Sequence, residues 1–196
     1  MELMKDSIEA IIDNIHEAEE YLVAEEIDDF LDIIVSANNV FVTGAGRSGL
    51  AAKAFAMRLM HLGLSSYVVG ETISPAINEG DCILAISGSG ETNTITSAAK
   101  ISKKRGAKVL ALTSFPQSTL GKLADAMVMV KGRTKVEADD ENYLKRQIKG
   151  NYTSLTPLGT AFELTSLVFL DGMVSELMEK MGQTEKDLKS RHAVLE

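Results

Sequence analysis

One ten-residue stretch, Ile83-Leu-Ala-Ile-Ser-Gly-Ser-Gly-Glu-Thr92, limits what this chain can fold into. It joins a short apolar run to a glycine- and serine-rich turn, and Glu91-Thr92 then open a helical pattern that runs to about Lys104. A short, continuous apolar run bounded by turn residues suits a strand of a parallel sheet, buried on both faces. A strand that passes through small residues into a helix N-terminus makes an anion site. Backbone N–H groups are free there, the helix dipole is positive, and glycine lets a phosphate come close. Ser87, Ser89 and Thr92 add hydroxyls at the same end, with Gly88 between them. No Gly-Lys-[Ser/Thr] follows, so the turn is not a nucleotide P-loop. A capped turn would account for one such residue. Two Gly and two Ser in four positions exceed what a cap needs.

Residues 2–36 read as an acidic helical arm, packed on its own domain or on a partner. Ile8, Ile11, Ile12, Ile15 and Ala18 recur at helical spacing, and a second stretch, about 24–35, carries Ile27, Phe30, Leu31 and Ile34. His16 sits among charges there and reads as a surface residue. Residues 37–196 then form one domain. Strands are expected at 40–43, 66–69, 81–86, 108–113 and 126–130, with helices from Gly49 to about Leu62 and within 114–125. Strands alternating with helices predict a three-layer α/β/α sandwich, a doubly wound five-stranded parallel sheet with ligands at the carboxyl ends of its strands.

The first strand leads into Thr43-Gly-Ala-Gly-Arg-Ser-Gly49. Gly44, Gly46 and Gly49 spell G-x-G-x-x-G, and Glu71 lies where a ribose-binding acid would stand in a dinucleotide fold. Against that reading, Arg47-Ser48 supply a cation and a hydroxyl suited to a sugar or a single phosphate. The second glycine-serine turn is also something a nicotinamide site does not call for. Residues 131–155 are polar, without an apolar period, and read as a long lid or connection. Thr156-Pro157 begins the last long helix, to about residue 181. That helix is apolar on most of its circumference, which predicts burial against another subunit.

A net charge of −8 disfavours nucleic acid. No run of about 18 uncharged apolar residues is present, so no membrane span is expected. The single cysteine, Cys82, fits a reducing cytoplasm and excludes an internal disulfide framework. No clustered His, Cys or carboxylate spacing suggests a metal, and no cofactor is expected.

The runs Thr43–Gly49, Met57-Arg-Leu-Met-His-Leu-Gly63, Tyr67-Val-Val-Gly-Glu-Thr72 and Ile86-Ser-Gly-Ser-Gly-Glu-Thr92, with Arg191-His192, resemble the 6-phospho-3-hexuloisomerases of the sugar isomerase (SIS) domain superfamily. The resemblance runs from about residue 38 to the C-terminus. It implies isomerisation of 3-hexulose 6-phosphate to fructose 6-phosphate in the ribulose monophosphate route, by a homo-oligomer, a tetramer ahead of a dimer. Ser87, Ser89 and Thr92 would bind the phosphate, helped by Gly46, Gly88, Ser48 and Arg47. The base candidates are Glu163, Glu71 and Glu91, with Glu163 first, because no Lys or Arg lies within helical reach to pair it. Glu91 reads equally well as a first-turn carboxylate facing the helix dipole. His192 would complete a neighbour's site, and His61 reads as a core histidine near the site motifs. The competing classes are a non-catalytic phosphosugar regulator and an isomerase for another sugar phosphate.

Overall fold

The computed structural model describes residues 1–132 and 159–194. In chain order the elements are α1 (Glu2–Glu19), α2 (Ala24–Ser36), β1 (Val40–Gly44), α3 (Arg47–His61), β2 (Ser66–Val68), β3 (Cys82–Ile86), α4 (Asn93–Lys104), β4 (Lys108–Thr113), α5 (Thr119–Leu123), β5 (Ala126–Met129), α6 (Thr160–Met181) and α7 (Glu185–Ser190). The strands form one parallel sheet in the order β2-β1-β3-β4-β5. The order reverses between β1 and β3, which makes that gap the topological switch point of a doubly wound fold.

Alternating side chains of each strand feed two cores. Val40, Val42, Leu84, Ile86, Leu110, Leu112 and Val128 face α2, α3 and α6. Phe41, Ile83, Ala85, Val109 and Ala111 face α4 and α5. The central strand β3 is buried at every position, as its unbroken apolar run requires. The three-layer arrangement expected from the sequence is what forms.

Three helix starts differ from the sequence reading, and the first is that of α3, which begins at Arg47, inside the glycine-rich turn. Helix α4 begins at Asn93, with Thr92 as its N-cap, so Glu91 lies outside the first turn. Among the described residues the long helix α6 starts at Thr160, and its N-cap is Gly159 in the left-handed region (φ 88°). Thr156 and Pro157 lie outside the described residues, as does all of the 131–155 segment except Lys131 and Gly132. The apolar circumference of α6 is also covered largely within the chain. Phe162, Leu170, Met173, Val174 and Leu177 enter the main core. Asn14 of α1 donates to Thr165 Oγ1 at 2.9 Å, and Lys180 pairs with Asp32 of α2 at 2.6 Å. The N-terminal helices therefore lie on their own domain.

Candidate active site

Strands β1 and β3 are neighbours in register, with Gly44 opposite Ile86, so the loops that follow them start side by side at the switch point. Each loop ends in a helix N-terminus. Neither α3 nor α4 carries an acidic residue in its first turn, and the short α5 lacks one too, whereas α1, α2, α6 and α7 all have one. Two positive helix ends without local carboxylates, beside one another, favour an anion.

In the first loop, Gly44 and Gly49 pack strand against helix. A Cβ on Gly49 would stand 2.6 Å from the Gly44 carbonyl oxygen. Gly46 is the N-cap of α3, and a Cβ there would meet nothing within 4 Å, so the crest of the loop is open. Ser48 is buried in the first turn, while the Arg47 side chain reaches outward.

In the second loop, Ser87 is buried and its hydroxyl accepts from Gly90 N–H at 3.2 Å. It also shares a 3.1 Å hydrogen bond with the Thr92 hydroxyl, closing the loop on itself. The Ser89 hydroxyl accepts from Glu91 N–H at 3.2 Å. Gly88 O accepts from Ser114 N–H at 3.1 Å, which ties the loop to the end of β4. Thr92 does not cap α4 with its side chain; Ile95 N–H donates to the Thr92 carbonyl at 3.0 Å, and the N–H groups of Asn93 and Thr94 at the helix tip face the loop end.

Across this edge stands Glu163, in the first turn of α6. Its carboxylate accepts from Arg47 Nε, an ion pair between residues 116 positions apart. The Glu163 side chain is only 18% exposed. The sequence reading found no partner within helical reach, and the partner comes instead from the other end of the chain. Gly159 makes room for this carboxylate, since a Cβ there would lie 3.2 Å from Glu163 Oε1. Behind the pair, Leu50, Ala51, Ala54, Leu164 and Leu167 line an apolar cavity of about 220 Å³. A larger cavity of about 350 Å³ between α1, α2 and α6 is walled mainly by apolar side chains such as Ile15, Leu22 and Phe169, and neither of the two loops reaches it.

The remaining candidates lie elsewhere. Glu71 is exposed and pairs with Lys53 Nζ at 2.7 Å on the flank of α3. Glu91 turns away from the loop, and both its oxygens accept from Thr119, the backbone N–H and the hydroxyl, each at 2.7 Å. Those bonds, the backbone one first, hold its carboxyl below its ordinary value. His192 stacks on the buried His61, ring centroids 4.7 Å apart, and Arg191 donates to the His61 carbonyl at 3.0 Å. Both histidines sit at the C-terminal end of α3. His61 ends α3, 13 residues after Ser48, which puts the pair about 20 Å from Ser48 along the helix at 1.5 Å rise per residue. Within one chain, then, His192 does not join the loops. Among the described residues no group of three or more His, Cys, Asp or Glu could hold a metal, and no helix is long and apolar enough to cross a membrane.

Sequence reasoning missed Ser118 and Thr119, which act only through tertiary contact.

Residues 33–154 match the SIS domain family. The 3-hexulose-6-phosphate isomerase of Bacillus subtilis is 40% identical over 186 residues, 95% of this chain and 95% of its own length. An uncharacterized protein of Methanothermobacter thermautotrophicus is 43% identical over 196 residues, 100% of this chain and 98% of its own. A solved structure of a hypothetical protein from Methanococcus jannaschii, described as inferring a molecular function of 3-hexulose-6-phosphate isomerase, has a TM-score of 0.78 at 31% identity, covering 96% of this chain and 98% of that one. With the fold, the two loops and these near end-to-end matches in agreement, the chain belongs to the SIS domain family, in the group that the 3-hexulose-6-phosphate isomerases represent.

Proposed function

We propose that the protein isomerises 3-hexulose 6-phosphate to fructose 6-phosphate in the ribulose monophosphate route, through an enediolate spanning C2 and C3. The observation that carries this reading is the meeting of two acid-free helix N-termini with the Arg47–Glu163 pair at one edge of the sheet. Relatives named for this activity, matched over nearly their whole length, support the choice of substrate.

The phosphate is seated by the hydroxyls of Ser87, Ser89 and Thr92 and by the first-turn N–H groups of α4, with Gly88 allowing close approach. Gly46 and Ser48 support the sugar from the first loop. Glu163 takes the proton from C2, and the electron pair of the broken C–H bond becomes the C2–C3 double bond while the C3 oxygen takes negative charge. Transfer of the hydroxyl proton from O2 to O3 and return of the carbon-bound proton to C3 then leave a ketone at C2 and an alcohol at C3. Arg47, paired with Glu163, offsets the oxyanion charge during the transfer. The substrate, with its ketone at C3 and its O6 esterified, closes no five- or six-membered ring, so no ring-opening step is needed.

The active species is a homo-oligomer, in which His192 serves a neighbouring site as proton donor or oxyanion partner. Exposed Leu3, Met4, Ile8 and Ile12 on α1 and Leu50, Met57 and Met60 on α3 supply apolar surface for such contacts. The test is a coupled assay that follows fructose 6-phosphate formed from 3-hexulose 6-phosphate. No turnover with that substrate, alongside turnover of another ketose or aldose phosphate, would reassign the reaction.

A further inference from the structure

We infer that Glu91 and Thr119 form a latch that positions the phosphate loop, with Glu91 acting through the loop and never touching substrate. The inference rests on the proposal that Ser87–Thr92 seats the phosphate. Glu91 stands between Ser89 and Thr92, where a carboxylate turned inward would repel a phosphate. Instead its two oxygens are taken by the N–H and hydroxyl of Thr119, both at 2.7 Å. Thr119 is the first residue of α5, so its N–H is one of the donors a helix cannot satisfy internally. Helix α5 has no acid in its own first turn, and Glu91 supplies one from 28 residues away.

The neighbouring contacts act in the same direction. Leu120 N–H donates to Gly90 O at 3.0 Å. Gly90 has φ +64°, and a Cβ there would fall 1.9 Å from Ser118 Oγ, so the loop is seated directly against the residue that caps α5. The Glu91 N–H in turn holds the Ser89 hydroxyl at 3.2 Å. Turning Glu91 out therefore fixes where Ser89 points. Thr119, Lys122 and Lys100 all favour the ionised carboxylate, so the latch is charged at neutral pH.

The test uses the full chain and five variants, read by kcat, KM, calorimetric titration with inorganic phosphate, and circular dichroism for folding. Glu91→Ala should raise KM and the phosphate Kd by about tenfold, and Thr119→Val by about threefold, with kcat within about twofold of wild type, as loss of charge-assisted hydrogen bonds that act on position predicts. Glu91→Gln keeps one acceptor and adds one donor, and Thr119→Ser keeps the hydroxyl, so both should remain near wild type. Ser89→Ala separates the latch from the reading beneath it. If Ser89→Ala loses phosphate affinity while folded Glu91→Ala and Thr119→Val keep it, the latch is wrong and the phosphate loop stands. If none of the three changes phosphate affinity, the loop is not the anchor and the latch falls with it. A kcat collapse in Glu91→Gln with intact phosphate binding would make Glu91 a catalytic residue and overturn the inference. Should Glu91→Ala fail to fold, Thr119→Val against Thr119→Ser decides the matter.

Discussion

Glu163 and Arg47 are each unremarkable in their own segments, one a first-turn carboxylate and the other the first residue of a helix. Together they make a charged pair at the mouth of the two glycine-rich loops, with an apolar wall behind. Glu163→Gln keeps shape and polarity but cannot accept the C2 proton, so kcat should fall by roughly 10²–10⁴, the usual worth of general-base catalysis. KM should change little, and exchange of the C2 proton with deuterated solvent should decline with turnover. Retention of both would move the base elsewhere. At the other side of the substrate, Ser89→Ala and Thr92→Val should each weaken substrate binding by about 1–3 kcal/mol, the range for hydrogen bonds to charged groups. Unchanged KM and unchanged competition by inorganic phosphate in both variants would remove the phosphate role from this loop.

The helices are distinguished by what stands in their first turns. The two that aim at the switch point are acid-free, and α6 presents Glu163 from a left-handed N-cap. Gly159→Ala would force a side chain into φ 88° and push a Cβ toward Glu163 Oε1. It should cost about 1–3 kcal/mol of stability, seen as a lower melting temperature, together with a fall in kcat larger than any change in phosphate affinity. A fall in phosphate affinity alone would show that Gly159 has nothing to do with the carboxylate. The loop that leads into α3 should bind no dinucleotide, so calorimetry with NAD(H) and NADP(H) at millimolar ligand should give no heat. The Glu91 cap on α5 makes a pH-dependent contribution. Its folded pKa lies below its ordinary value of 4.5, so the contribution is present above that pH and is lost as pH falls through the folded value. Melting temperatures measured from neutral to acid should therefore show wild type losing its advantage over Glu91→Gln as the solution is acidified. A constant difference across the range would contradict this.

For the whole molecule, the question is what covers the apolar side chains left outside, and where His192 works. Leu3, Met4, Ile8 and Ile12 are exposed in a single chain although α1 is well anchored by Asn14 and by the pairing of Glu17 with Lys131. Light scattering at micromolar concentration should give a multiple of 21.2 kDa. Because His61 and His192 sit about one α3 length from the loops, activity shared between subunits should appear as complementation. Inactive Glu163→Gln and His192→Ala chains, mixed and reassembled, should regain part of the wild-type rate. No recovery in verified mixed oligomers would confine each site to one chain or take His192 out of it.

The order and type of the elements were legible in the sequence because they follow from local pattern. Five apolar runs spaced by helical segments dictate a parallel sheet, and two glycine-rich turns after β1 and β3 dictate where a ligand approaches. The starts of α4 and α6 slipped at Glu91 and Gly159, where local pattern suggests a helix that begins sooner. Tertiary contact decided those cases. Thr119 draws Glu91 out of α4 into the cap of another helix, and Gly159 takes the N-cap of α6 beside the Glu163 carboxylate. The pairing of Arg47 with Glu163, and the removal of Glu71 and His192 to partners outside the loops, likewise depend on residues far apart in the chain. A sequence states which charges exist. Only the fold sets the distances between them, and electrostatic interaction depends on those distances.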